Sequence, residues 1–191
     1  MPLPQSVKRE HLHRRRVSCD AFRREDGLWD IDGHMSDIKE YYVEANEEGR
    51  TVEAGEPYHD MYLRITLDQQ FLIHEVVAVM DSTPFGSCPK ITSAFKALEG
   101  TRIGPGWHSK TRELLGGVKG CTHLLELLKP IATTAVQAIW PMMDESMRQY
   151  SAALALNTCH SWSQSGEVVR MHFPSLYKSE ASAMREKDLM G

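Results

Sequence analysis

Thiol, imidazole and carboxylate side chains gather in the central part of the chain, between residues 58 and 124. His59 and Asp60 open a predicted strand, and Cys88 and Cys121 each follow a glycine-containing loop. Sulfur, nitrogen and oxygen donors of this kind are ligands of zinc, and a catalytic zinc site leaves one position to water. The residue types therefore predict a site for zinc or a similar ion, with His59, Cys88 and Cys121 as ligands.

Both cysteines lie where a helix is predicted to begin. The positive end of the helix dipole and the unpaired N–H groups there favour the thiolate, which is the form that binds metals and attacks substrates. The spacing matches no compact CxxC or HExxH pattern. A cysteine nucleophile with histidine as its base, working without a metal, therefore stays open as an alternative chemistry.

Proton transfer at such a site needs groups beyond the ligands. Asp60 directly follows the histidine ligand, but adjacent strand residues point to opposite faces, so only one of the two is expected at a common site. His123 lies about 200° around a helix from Cys121 and faces Glu126, three residues later, as a proton-relay couple. We predict that Asp60, His123 and Glu126 handle protons. Whether Asp60, His123 or His160 completes the site is left open.

Several other polar residues are interpreted as structural. Three of them near the N-terminus are typical of turns and caps: Asp32, His34 and Asp37. Cys159 and His160 adjoin before a predicted strand, where a structural role is favoured over contact with a ligand or substrate. Trp107 and His108 follow a Gly-Pro-Gly loop and are predicted to close over a pocket, where an aromatic wall would suit a flat substrate.

Length and charge exclude several classes of partner. The chain of 191 residues fits one domain, and its net charge of −4 favours neither nucleic acid nor an anionic membrane. No apolar run approaches the roughly 20 residues of a membrane span, and the first residues do not resemble a signal peptide. The four cysteines are then expected to be free thiols or metal ligands in a cytoplasmic protein. The basic run at residues 11–16 is interpreted as a solvated arm.

Alternation of polar and apolar residues predicts strands in the first half of the chain. They cover residues 13–40 as a hairpin, 59–67 as a half-buried strand and 71–80 as its antiparallel partner. Helices are predicted from residue 88 onward, one of them ended or kinked at Pro130 and another covering about 131–156 with an interruption at Pro141. The chain is predicted to return to a strand at 167–171. This order implies an α+β fold, with a small antiparallel sheet packed against C-terminal helices.

The predicted domain organisation is simple. A single α+β domain covers residues 13–178, with a flexible N-terminal arm over 1–12 and a frayed C-terminal tail over 179–191. The expected partner is a small-molecule substrate. Association into a homo-oligomer is left open.

Four stretches of the sequence stand out as motifs. They are FRREDGLWDI at 22–31, HDM at 59–61, GCTHL at 120–124 and NTCH at 157–160. On these stretches the chain resembles a bacterial family catalogued only as a domain of unknown function. The resemblance covers residues 13 to about 175, and it implies a fold more than an activity.

The central block also resembles the iron-sulfur scaffold and zinc-dependent sulfur-acceptor proteins of the IscU and SufU type. In those proteins one cysteine precedes a strand, a second follows the next strand and a third lies at a later helix. His59, Cys88 and Cys121 fall near these three positions in turn. The resemblance implies an IscU/SufU-like core with extensions. Histidine in place of the first thiol weakens sulfur relay and leaves a zinc site with a water position.

These inferences predict a metal-dependent lyase or hydrolase that acts on a small metabolite, with an aromatic compound as one option. The cofactor is expected to be zinc or another divalent transition metal. One alternative is a non-catalytic or sulfur-transfer scaffold of the IscU/SufU type. Another is a structural zinc domain that binds a second protein and has four protein ligands on its metal.

Overall fold

The first half of the chain forms a four-stranded antiparallel sheet in which each strand lies beside its neighbours in sequence. The computed structural model describes residues 3–45 and 50–179. The strands are β1 (His13–Arg23), β2 (Trp29–Lys39), β3 (Pro57–Leu67) and β4 (Ile73–Ser82). The sheet contains the strands predicted over the N-terminal hairpin and the central block.

Helices follow the sheet, and the predicted α+β fold class is confirmed. The α-helices are α1 (Trp107–Leu115), α2 (Thr122–Ile139), α3 (Glu145–Ala155) and α4 (Glu167–His172). Short 3₁₀ segments cover Cys88–Leu98, Gly117–Lys119, Trp140–Met142, His160–Trp162 and Pro174–Leu176. Among the described residues, none of these helices has both the length and the apolar character that crossing a bilayer requires.

The apolar core lies on one face of the sheet. Alternate residues of β2 and β3 point to this face, and those residues are mostly apolar. The buried residues on this inner face include Ile31, Met35, Met61, Leu63 and Ile65. Helix α2 contributes the buried side chains of Leu124, Leu127, Leu128, Ile131 and Ala135. The same inner face, continued to one end of the sheet, carries the polar residues of the candidate site.

Helix α2 approaches the sheet most closely at Gly33, where a Cβ atom would lie 2.6 Å from Cδ1 of Ile131. Ile131 is fully buried, so its side chain has little room to move. We expect Gly33→Ala to lower the free energy of unfolding by about 1–3 kcal/mol, since added volume in a packed core forces neighbouring groups apart. Gly86→Ala is the control, because no atom lies within 4 Å of a Cβ at Gly86. Equal denaturation midpoints for the two variants would contradict this packing.

One of three local expectations, the strand at 167–171, is wrong. Pro130 lies inside α2 and does not end it, because the buried apolar residues on both sides of it keep the helix against the sheet. The alternative, a kink at Pro130, stays a prediction. Residues 167–171 form helix α4 rather than a strand. Glu167 begins that helix, Arg170 lies in its last turn and pairs with Glu167, and Val169 is buried, so charge placement outweighs the β-branched residues. Trp107 is buried at the start of α1, and its predicted place over a pocket stays a prediction.

The contacts of the chain divide it into two compact units, Met1–Ala138 and Ile139–Gly191. The first contains the sheet, α1 and nearly all of α2. In the second, the rings of Trp140, Trp162 and Phe173 pack together, with centroids 5.4–6.3 Å apart. The single domain over 13–178 and the flexible arm over 1–12 stay predictions. The predicted frayed tail lies outside the described residues beyond Ser179.

Candidate metal centre

A buried carboxylate, Asp37, occupies the inner face of the sheet near the end of β2. The alternation that buries Ile31 and Met35 continues to this residue, whose side chain is only 2% exposed. It lies directly opposite His59 of β3 in the strand register. A charge at such a position costs free energy unless it is neutralised and hydrogen-bonded. The surrounding residues therefore have to supply those interactions.

Arg15 supplies most of them from β1, where it is the register partner of Asp37. Its Nε donates to Oδ1 and its Nη2 to Oδ2, each at 2.7 Å. His13 places Nε2 3.1 Å from Oδ1. Burial by itself would raise the pKa of Asp37, but the hydrogen bonds and charge of Arg15, with smaller contributions from His59 and His13, outweigh it and lower that pKa to about 2. Asp37 is therefore ionised at neutral pH.

Two histidines approach the same carboxylate from the other side. His59 Nδ1 lies 3.1 Å and His123 Nε2 4.0 Å from Asp37 Oδ2. The two imidazole rings are in contact, with centroids 4.0 Å apart. Burial, and then the charge of the neighbouring His123, lowers the pKa of His59 to about 4. Burial and the charge of Arg15 lower the pKa of His123. Both shifts favour the neutral form, which is the form that binds metals.

Asp37, His59 and His123 form a group that could hold a metal ion, because one ligand atom from each lies within 4.8 Å of the other two. Both strand residues are buried, and His123 is partly exposed at the start of α2. We call these three residues the triad. Its exposed side, at His123, is where a substrate or water molecule could reach a bound ion.

Glu126 connects the helix to the sheet beside the triad. Its Oε2 accepts a 2.6 Å hydrogen bond from Arg15 Nη1. The carboxylate predicted as a proton-relay partner of His123 is thus engaged by the guanidinium, although its charge still opposes the lowering of the His123 pKa. Arg15 therefore pairs with both carboxylates, Asp37 and Glu126, and ties β1 to the start of α2.

The predicted cysteine ligands lie outside the triad. Cys121 directly precedes α2, and its carbonyl accepts a 2.9 Å hydrogen bond from the N–H of Leu125. Cys88 begins the first 3₁₀ segment. Both are half-buried free thiols, as predicted. Their role as metal ligands stays a prediction, whereas His59, the third predicted ligand, is a member of the triad.

The predicted proton-handling residue Asp60 lies on the opposite face of the sheet from His59. There its Oδ1 lies 2.6 Å from His34 Nε2, and the His34 ring stacks on Tyr62 with centroids 4.3 Å apart. His34 is a strand residue, so its interpretation as a turn residue is wrong. His160 begins a 3₁₀ segment in the C-terminal unit.

Three residues in or beside the triad are not indicated by the sequence pattern alone: Asp37, Arg15 and His13. The interpretation of Asp37 as a turn or cap residue is wrong, because Asp37 lies within β2. The sequence does indicate on which face Asp37 lies, because Asp37 continues the alternate positions of β2 that include Ile31 and Met35. Arg15 was assigned to a solvated basic arm, yet it lies in β1 and binds a buried carboxylate.

One family model matches the part of the chain that contains the triad. The model of a family described as "Protein of unknown function (DUF2889)" matches residues 13–137. No curated protein and no solved structure matches the chain. The matched range contains the triad, Asp37, His59 and His123, and the three residues that pair with Asp37 or Arg15 beside it: His13, Arg15 and Glu126.

Proposed function

The chain belongs to the DUF2889 family of proteins of unknown function, and we propose that it is a metal-dependent enzyme whose ion is held by Asp37, His59 and His123. The main support for this proposal is that one ligand atom from each of these three side chains lies within 4.8 Å of the other two. Two imidazole nitrogens and one carboxylate oxygen make up the protein ligands of a common class of catalytic zinc site, in which water takes the fourth position. We therefore propose zinc as the metal.

The distances around Asp37 support this assignment. Bonds of about 2.0–2.1 Å around a tetrahedral zinc ion place neighbouring ligand atoms about 3.3–3.4 Å apart. Asp37 Oδ2 lies 3.1 Å from His59 Nδ1 and 4.0 Å from His123 Nε2, on either side of that spacing. The three ligand atoms lie within 4.8 Å of one another, so they would have to draw closer around a bound ion. Arg15 would then act as an outer partner that orients the carboxylate.

A metal held in this way supplies one of two functions. It lowers the pKa of a bound water molecule, or it polarises a substrate oxygen. Either suits the hydrolase or lyase reaction on a small metabolite that the sequence predicts. The neighbouring chain groups do the rest: Arg15 keeps Asp37 ionised, and the partly exposed His123 leaves a path from solvent.

The donor set also favours a second metal. Two histidines and one carboxylate hold the iron of mononuclear non-haem iron(II) oxygenases, which keep further positions open. Elemental analysis of the purified protein therefore has to distinguish zinc from iron(II). The sulfur-transfer scaffold of the IscU/SufU type remains a competing proposal, and it requires a persulfide on Cys88 or Cys121.

We expect His59→Ala and His123→Ala each to weaken zinc binding by at least about 100-fold, since loss of an outer partner alone costs 10–100-fold. Competition with a chromophoric chelator measures the affinity, and elemental analysis of the purified protein identifies the native metal. His34→Ala is the matched control, because His34 also pairs with an aspartate but on the other face of the sheet. Its zinc affinity should equal that of the wild type.

Variants of the cysteines separate the competing ligand sets. Under this proposal, Cys88→Ser and Cys121→Ser retain zinc. Loss of zinc from both, with retention in His123→Ala, would instead support His59, Cys88 and Cys121 as the ligands. A wild-type protein that binds neither zinc nor iron(II) would overturn the proposed function. Formation of a persulfide with a cysteine desulfurase would support the sulfur-transfer alternative.

A further inference from the structure

Lys39 places a positive charge on the face of the sheet that carries the triad. It lies two residues beyond Asp37 in β2 and opposite His13 of β1 in the register. Its Nζ lies 3.2 Å from the hydroxyl of Tyr41 and 5.1 Å from the ring centroid of Tyr58. Within residues 3–45 and 50–179, no carboxylate forms an ion pair with this ammonium group. Its charge is therefore available to an anion from solution.

An irregularity in β3 connects Lys39 with the triad. The β2–β3 register shifts between Asp37 and Ile38, so that Tyr58 is an extra residue between Pro57 and His59. Bulges of this kind redirect a side chain. The ring of Tyr58 stands edge-on to that of His59, with centroids 5.1 Å apart and planes at 89°. Tyr58 therefore contacts both the buried histidine and the lysine ammonium.

Arg15 offers further hydrogen-bond donors beside the triad. A guanidinium carries five N–H groups. Three are used by Asp37 and Glu126, and the side chain is 37% exposed. The nearby carboxylate of Glu126 is already paired with Arg15. His13 is also half-exposed here. The face of the sheet that carries the triad therefore also carries an ammonium group with no ion pair to a described carboxylate, guanidinium N–H groups that Asp37 and Glu126 do not use, and the ring of Tyr58.

We propose that the substrate of this centre is a small organic oxyanion, a carboxylate or a phosphate ester, whose charged group binds Lys39 and the free N–H groups of Arg15. This inference rests on the proposed metal-dependent function and names its substrate class. A charged acceptor strengthens such hydrogen bonds, and the planar guanidinium suits both oxyanions. The ring of Tyr58 provides a surface for the organic part of the molecule.

Calorimetric titration of benzoate, phenyl phosphate and neutral benzamide tests the inference, with the protein in zinc-loaded and chelator-treated forms. We expect at least one anion to bind and benzamide not to bind. The preferred anion identifies a carboxylate or a phosphate ester as the substrate group. Lys39→Met should weaken anion binding at least about tenfold and leave zinc affinity unchanged, while Lys39→Arg should retain binding. Lys110→Met is the control, because that ammonium is paired with Glu113 on α1.

The outcomes distinguish this inference from the proposed function. Anion binding that is equal in the wild type and Lys39→Met would overturn the inference, as would zinc binding without binding of either anion. Lysine-dependent anion binding in a protein that takes up no metal would support the oxyanion site and overturn the metal-dependent function instead.

Discussion

Replacing Asp37 with alanine is expected to lower the free energy of unfolding by about 3 kcal/mol in protein freed of metal. The carboxylate is 2% exposed and interacts with Arg15, His13 and His59. Its removal leaves two guanidinium N–H groups and two imidazoles without their partner. Because the Arg15 side chain is 37% exposed, water can hydrogen-bond to the N–H groups that lose Asp37. The expected loss of stability therefore lies at the lower end of the range for breaking a buried ion pair.

Asp32→Ala is a closely matched control for this prediction. Asp32 lies on the same strand and also receives two hydrogen bonds from one arginine, Arg64, each at 2.6 Å. That pair lies on the other face of the sheet and is 34% and 50% exposed. Exposed pairs contribute less than about 1 kcal/mol. Chemical denaturation of both variants measures the difference, and equal losses of stability would show that burial of Asp37 does not determine its contribution.

Metal-free protein is expected to lose about 3 kcal/mol of stability through His59 alone as the pH falls from 6.5 to 4. The folded-state pKa of His59 is about 4, against an ordinary value of 6.5 in the unfolded chain. Over this interval the unfolded chain therefore takes up a proton that the folded protein does not, which favours unfolding. His123, whose pKa is also lowered, contributes in the same direction. Above pH 6.5 this contribution to pH dependence disappears.

Urea denaturation at a series of pH values, with chelator present, measures this effect. The control is His59→Gln, which has no group to titrate at this position and should lose less stability over the same interval. Below pH 4, protonation of Asp37 adds a further loss, because its folded-state pKa of about 2 lies below its ordinary value. Parallel profiles for the wild type and His59→Gln between pH 6.5 and 4 would contradict the burial of a neutral imidazole.

The strands were predictable because they depend on local pattern. Met61, Leu63, Ile65 and Leu67 alternate along β3, and all are buried on one face. Helix boundaries were less predictable where tertiary contacts outweigh local preference. Pro130 is retained within α2 because flanking residues are buried against the sheet. The segment at 167–171 contains adjacent valines, yet end charges and one buried position favour helix α4.

The candidate site was predictable in part. His59 and His123 were selected for their chemistry, and the structure brings them together. Asp37 was missed because its partners lie on other strands: Arg15 is 22 residues earlier in the chain. The cysteines were favoured because a helix start is a local signal. The register that joins three strands and a helix is a long-range property, and no single segment reveals it.

The three residues of the triad come from separate elements, β2, β3 and α2, so a cation held by all three would stabilise the folded state. In the unfolded chain Asp37, His59 and His123 are far apart, so a cation that binds all three binds almost only the folded state. At 100 times its dissociation constant, such a ligand stabilises the protein by about 2.7 kcal/mol. The rise in melting temperature would therefore rank divalent cations by affinity. A thermal-shift series could identify the preferred metal before any substrate is known.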